Sequence, residues 1–217
     1  MSGSRRISTK KLVVLALLSA IGFISMMLLK IPVVSFLKYE PKDIFITLAG
    51  FLYGPLSSMA VAAVTALLEF PISETGVIGL VMNFLSSASF ACVASLIYHK
   101  RDSLSSAVIG LLCGMASMTT AMMLWNYLIS PLYYHMPRTD VVPMLTTVFL
   151  PFNLIKSGIN ASLTMLLYQP FMRVLVQYGF VSEKHGATKQ KRMLSVMLVS
   201  LLIFVGCCVV IYFMNHK

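Results

Sequence analysis

Apolar residues fall in six long stretches, approximately 12–29, 44–69, 77–98, 104–130, 144–177 and 194–214, separated by short hydrophilic gaps. Each reaches the roughly 18–20 residues that a helix needs to cross the hydrocarbon of a bilayer. The pattern predicts an all-α integral membrane protein. The second stretch is interrupted by Gly54-Pro55, and proline breaks a helix interior. It reads either as one kinked span or as two segments, 44–53 and 55–69, meeting at a turn. A segment of ten residues rises only about 15 Å, half of the hydrocarbon core. The ends of such a broken element must be buried in protein or line a cavity.

Charge favours the broken reading. With two segments and a cytoplasmic N-terminus, the inner side receives Arg5, Arg6, Lys10, Lys11, Lys100, Arg101, Arg173, Lys184, Lys189, Lys191 and Arg192. The outer side receives only Lys30, Lys38, Lys42, Arg138 and Lys217. A single span would move Lys100-Arg101 and the whole basic gap outside, against the positive-inside rule. Residues 1–180 are therefore expected to form a six-helix membrane domain and 181–193 a basic cytoplasmic linker. Residues 194–217 are expected to form an additional C-terminal transmembrane helix with its tail.

Composition agrees: 58% of residues are hydrophobic and 11% charged, where a soluble domain carries about a quarter charged. A net charge of +10 would suggest nucleic acid in a soluble protein. Here the basic residues sit in short gaps, as loop ends touching anionic lipid do, and no basic stripe is interleaved with aromatics. The first stretch follows four cations, as a secretory signal does. Its length exceeds the usual 7–15 apolar residues of a signal, so it is expected to be a retained helix. The four cysteines show no Cys-x-x-Cys spacing and the four histidines no metal-ligand spacing, so no metal site is expected. The phosphate-binding G-x-x-x-x-G-K-[ST] loop and the H-E-x-x-H and G-x-S-x-G hydrolase motifs are missing, which argues against an enzyme.

The candidate chemistry lies in polar residues at membrane depth. Asn153, Lys156 and Asn160 are spaced i, i+3, i+7 within the fifth stretch, so a helix puts them on one face. Entered from outside, that helix carries Lys156 about 18 Å along its axis. A lysine facing lipid there is costly, so it should face protein or water. Two structural alternatives stay open: Lys156 snorkels to the outer surface, or it pairs with Glu69 or Asp43. Asn83, Asn126 and Tyr127 fall toward the same outer end, as do Lys38, Tyr39, Glu40 and Asp43 of the loop before the second stretch. Their convergence predicts an outward-facing pocket lined by amides and aromatics, suited to a flat, neutral, polar-edged heterocycle. In the first helix, Ala16 and Ala20 form a small-xxx-small pair continuing to Gly22, a spacing that permits close helix approach.

The segments "FLKYEPKDIFITLAGFLYGP", "MNFLSSASF", "WNYLIS" and "PFNLIKSGIN" together resemble the riboflavin-specific S-component of energy-coupling factor (ECF) vitamin transporters. The resemblance covers about residues 8–180, in order and with similar spacing. It implies a six-helix protein that binds riboflavin in an outward-facing pocket. It also implies pairing with a transmembrane coupling (T) subunit and two ATPase subunits, which consume the ATP, while the S-component itself holds no cofactor. Asn153, Lys156 and Asn126 match the family's flavin-binding residues, and Ala16 and Ala20 its docking surface for the coupling protein. The polar reading adds Asn83, Tyr39, Glu40 and Asn160 as candidate binding residues. An S-component for another vitamin is the nearest alternative. A small intramembrane enzyme using Lys156 or Glu69, and a solitary carrier, are the others. The C-terminal helix is a departure from the family pattern.

Overall fold

The computed structural model describes residues 8–34, 37–73, 75–101, 103–133, 135–179 and 190–215. Arg5, Arg6, Lys217 and most of the predicted 181–193 linker lie outside the described residues. Helix α1 (Thr9–Leu28) leads into a two-stranded antiparallel hairpin, β1 (Ile31–Val34) and β2 (Leu37–Tyr39). Then come α2 (Lys42–Tyr53), α3 (Pro55–Glu69), α4 (Gly76–His99) and α5 (Leu104–Tyr133). A short α6 (Arg138–Met144) runs through a π-helical turn, Leu145–Phe149, into α7 (Leu150–Gln177). The chain closes with α8 (Gln190–Asn215).

Six helical stretches among the described residues are long and apolar enough to cross a membrane. Helix α2 is not one of them, because its 12 residues rise only about 18 Å. The predicted break lies where Gly54 adopts φ 94°, a left-handed conformation that glycine reaches without a Cβ clash. Pro55 follows at the start of α3, where its missing N–H costs nothing.

The short helix is the centre of the bundle. Ten of its 12 residues are buried, and it packs on α1, α3, α4 and α7. Ile46, Leu48 and Phe51 meet Leu18 of α1, Val61 of α3 and Phe90 and Tyr98 of α4 in one apolar core. At the Gly54 end, Phe51 stacks on Tyr98 with ring centroids 4.6 Å apart. The Tyr98 and Tyr168 hydroxyls share a buried hydrogen bond there, so that end of the interior is filled. Most lipid-sized side chains on the other helices point outward, including Leu56, Leu67, Leu112 and Leu132, as apolar solvent permits.

Helices α4 and α5 approach most closely through Gly110 and Gly114. A Cβ on Gly110 would come within 2.5 Å of the Ala94 carbonyl oxygen, and one on Gly114 within 2.7 Å of that of Phe90. This is the small-xxx-small contact of membrane helices. In α1 the expected small stripe divides: Ala16 and Ala20 are exposed, whereas Gly22 is buried against Thr65 and Phe45. The three do not form one surface.

The hairpin stands where the sequence predicts a plain outer loop. The fifth apolar stretch also begins earlier than predicted. Pro151 has no N–H to donate to the carbonyl one turn back, and the ladder widens to a π turn immediately before it. Helix α8 lies along α7 and touches β1, with Phe204, Cys207 and Ile211 packed on Val33, Tyr39 and Ile155. Most of its remaining apolar side chains are exposed.

Candidate functional site

Where α1, α3 and α5 end and α2, α4 and α7 begin, the bundle opens into a cavity of about 270 Å³. Its apolar walls come from Met82 of α4, Met122 of α5 and Phe149 and Phe152 at the head of α7. Leu37, Lys38 and Glu40 of the hairpin strand and its exit form another wall. Polar groups enter from opposite sides: Asn83 and Ser86 from α4, Asn126 from α5, and Asn153 and Lys156 from α7.

The two asparagines on α5 and α7 are oriented by their own helices. Asn126 Nδ2 donates to the Met122 carbonyl at 2.8 Å and Asn153 Nδ2 to the Phe149 carbonyl at 2.7 Å. Ser130 Oγ donates to Asn126 Oδ1 at 3.0 Å. Each amide therefore stands in a fixed rotamer, with Asn153 keeping its oxygen and one N–H for a ligand. Phe149 closes the π turn, so that backbone irregularity supplies the carbonyl that holds Asn153.

Beneath these amides lie six charged groups, arranged in two clusters at the start of α2. In the first, Lys42, only 1% exposed, pairs with Glu69 and lies 3.1 Å from Glu40 Oε2. Asn83 Nδ2 donates to Glu69 Oε1 at 2.7 Å, and Lys30 approaches Glu40 at 3.9 Å. In the second, Asp43 is fully buried. Ser87 Oγ donates to its Oδ1, and Asn160 Nδ2 donates to its Oδ2 at 2.9 Å. Lys156 Nζ stands 3.6 Å from that same Oδ2 and donates to Ser86 Oγ at 3.4 Å. Charges out of water are tolerable only when paired and hydrogen-bonded. Lys30, Lys42 and Lys156 balance Glu40, Asp43 and Glu69 one for one, and Lys38 on the hairpin wall adds one further cation.

Of the candidate binding residues, Lys156, Asn153, Asn126, Asn83 and Glu40 all line this cavity. Tyr39 and Asn160 do not: Tyr39 OH donates to Asn160 Oδ1 at 2.9 Å, and both lie behind Asp43. Burial, reinforced by the Asp43 charge, pushes the Tyr39 phenol well above its usual range, which keeps it a donor. Tyr127 is also off the cavity, half-exposed with the Arg138 guanidinium over its ring at 5.3 Å. Lys156 does not snorkel: it is 7% exposed, paired with Asp43, and still reaches the cavity wall. The Lys156–Asp43 pair is one of the two structural alternatives the sequence leaves open for that lysine, whereas the sequence offers no site expectation for Lys42 or Ser86. The signal for Lys42 is the crowded "YEPKD" at the head of a helix too short to span, since such a helix buries whatever stands at its ends. Among the described residues no group of three metal-ligating side chains occurs.

A bundle with a broken central helix, and an amide-lined cavity at one end, defines a membrane-embedded solute-binding protein. The chain matches the family "ECF transporter, substrate-specific component" over residues 10–168, and it belongs to that family. It is 35% identical over 172 residues to the riboflavin transporter FmnP of Bacillus subtilis strain 168, covering 73% of this chain and 90% of that one. It is 31% identical over 181 residues to the riboflavin transporter RibU of Staphylococcus aureus strain TCH60, covering 78% and 95%. A solved structure of the S component of a bacterial ECF transporter superposes with a TM-score of 0.67 at 31% identity, covering 76% of this chain and 97% of that one. The protein is thus a transporter component and not an enzyme.

Proposed function

We propose that this protein is the riboflavin-capturing subunit of an ECF-type importer in the cell membrane. The observation that carries the reading is the cavity's pairing of oriented amides with apolar walls, each carboxylate there being already held by a lysine. A neutral, planar ring with polar edges fits that chemistry. The isoalloxazine ring presents an N–H flanked by carbonyls, which the amides of Asn126 and Asn153 complement in two-point fashion. Lys156 donates to a ring carbonyl or a ribityl hydroxyl. Met82, Met122, Phe149 and Phe152 cover the ring faces. The relatives named as riboflavin transporters support this cargo.

With the N-terminus in the cytoplasm, the cavity faces outside, and the Gly54 turn lies at the inner end. A T subunit docks on α1 at Ala16 and Ala20, whose exposure leaves that face open. Two ATPase subunits drive delivery. Purification from cells grown with riboflavin, followed by an absorption spectrum and quenching of flavin fluorescence, tests the cargo. Saturable quenching at or below micromolar riboflavin is expected. Its absence would exclude riboflavin as the cargo.

A further inference from the structure

We infer that Tyr39 is a positioning residue for cargo capture, acting on Lys156 through Asn160 and Asp43. The inference rests on the riboflavin reading above and extends it to a residue that the cargo does not touch. Lys38 and Glu40 line the cavity, while the intervening Tyr39 points the other way, as strand alternation requires. Its ring is 3% exposed, and its hydroxyl ends on Asn160 Oδ1 at 2.9 Å.

An asparagine amide has one acceptor and one donor end. With Oδ1 taken by the phenol, Asn160 Nδ2 is directed at Asp43 Oδ2, 2.9 Å away. That same oxygen is the anion 3.6 Å from Lys156 Nζ. Ser87 holds the other carboxylate oxygen, so the carboxylate cannot turn to compensate. One hydrogen bond therefore connects the seating of the hairpin, which walls the cavity, to the placement of the lysine inside it. When the phenol is absent, Asn160 is free to rotate its amide, and Asp43 draws Lys156 toward itself and away from the cavity.

A double-mutant cycle on the full-length purified protein tests this, with riboflavin fluorescence quenching as the readout. Tyr39→Phe keeps the ring and removes only the hydroxyl. It is expected to weaken riboflavin binding about fivefold, the scale of one buried hydrogen bond. In a Lys156→Met background the same substitution is expected to have almost no further effect, because its target is gone. A purely structural role would give the same factor in both backgrounds, and that result would overturn the inference. Lys156→Met can weaken binding beyond the range of the titration. The cycle with Asn160→Leu, a residue off the cavity wall, is therefore run in parallel, and a Tyr39→Phe factor that persists there also overturns it. A wild-type protein that binds no riboflavin overturns the cargo reading and this inference with it. Additive factors in a protein that does bind overturn this inference alone.

Discussion

Lys156 Nζ lies 3.6 Å from Asp43 Oδ2, joining the second turn of α7 to the head of a helix that cannot span a bilayer. Helix α2 stops short, and Asp43 in its buried first turn meets a lysine arriving from another helix. A carboxylate in the first turn is favoured by the helix dipole, and the lysine supplies the countercharge.

Breaking that pair from one side should be far more damaging than replacing both members. Asp43→Leu leaves Lys156 as an uncompensated buried cation and should destabilise the protein by about 3–5 kcal/mol. Asp43→Leu combined with Lys156→Met should recover much of the loss, because apolar substitutes for a buried ion pair are often near neutral. Unfolding in detergent, followed by circular dichroism for both variants, checks the ordering. Equal instability of the single and double variants would show that the pair is not the source.

The cavity amides should act on affinity rather than on folding. Asn153→Leu removes an acceptor and a donor from the wall, and its only structural bond is to its own helix at Phe149. Riboflavin binding should weaken about 10–100-fold, the cost of leaving a buried ring edge unpaired. The unfolding midpoint should stay close to that of the wild type. Asn126→Leu is expected to behave alike, with an added small loss of stability from the Ser130 bond. Fluorescence titration and thermal unfolding on the same preparations separate the two effects.

Much of this arrangement was legible from the chain, and for a physical reason. Spans are set by hydrophobic length, so the six apolar stretches appear directly, and Gly54-Pro55 marks the break because only that residue pair makes the turn easy. The face shared by Asn153, Lys156 and Asn160 follows from helical period alone. Depth along that face does not. Asn160 lies one turn beyond Lys156, below the cavity floor, and only the three-dimensional position of Asp43 reveals what it holds. The hairpin was hidden because "IPVV" and "LKY" are too short to give a period-2 signal. Lys42 and Glu69 were hidden because they are 27 residues apart and meet only through the fold.

The α4–α5 contact makes a prediction independent of cargo. Gly110→Ala places a methyl within 2.5 Å of the Ala94 carbonyl oxygen, so the helices must separate. A loss of about 1–3 kcal/mol is expected, the usual cost of overpacking. Gly158→Ala is the control: its Cβ would meet only Cys207 Sγ at 3.3 Å and Met115 Cε at 4.0 Å. Both are side-chain ends that can shift, so Gly158→Ala should cost well under about 1 kcal/mol. Thermal unfolding of the two alanine variants distinguishes a backbone contact from a side-chain one.

The exposed alanines of α1 should separate capture from delivery. Ala16 and Ala20 lie on the outward face of a helix whose other face, carrying Leu18, Gly22 and Met26, is buried against the bundle. A tryptophan at either position extends into lipid and touches nothing in this chain, so riboflavin binding by the purified protein should be unchanged. A T subunit that packs on this face requires small side chains there, because backbones approach closely only over such residues. In cells that depend on this protein for riboflavin, Ala16→Trp or Ala20→Trp should therefore abolish uptake while the purified variant still quenches flavin fluorescence. The coupling subunits should also fail to co-purify with either variant. Normal uptake by both variants would place the docking surface elsewhere, and loss of binding would mean that α1 shapes the cavity itself.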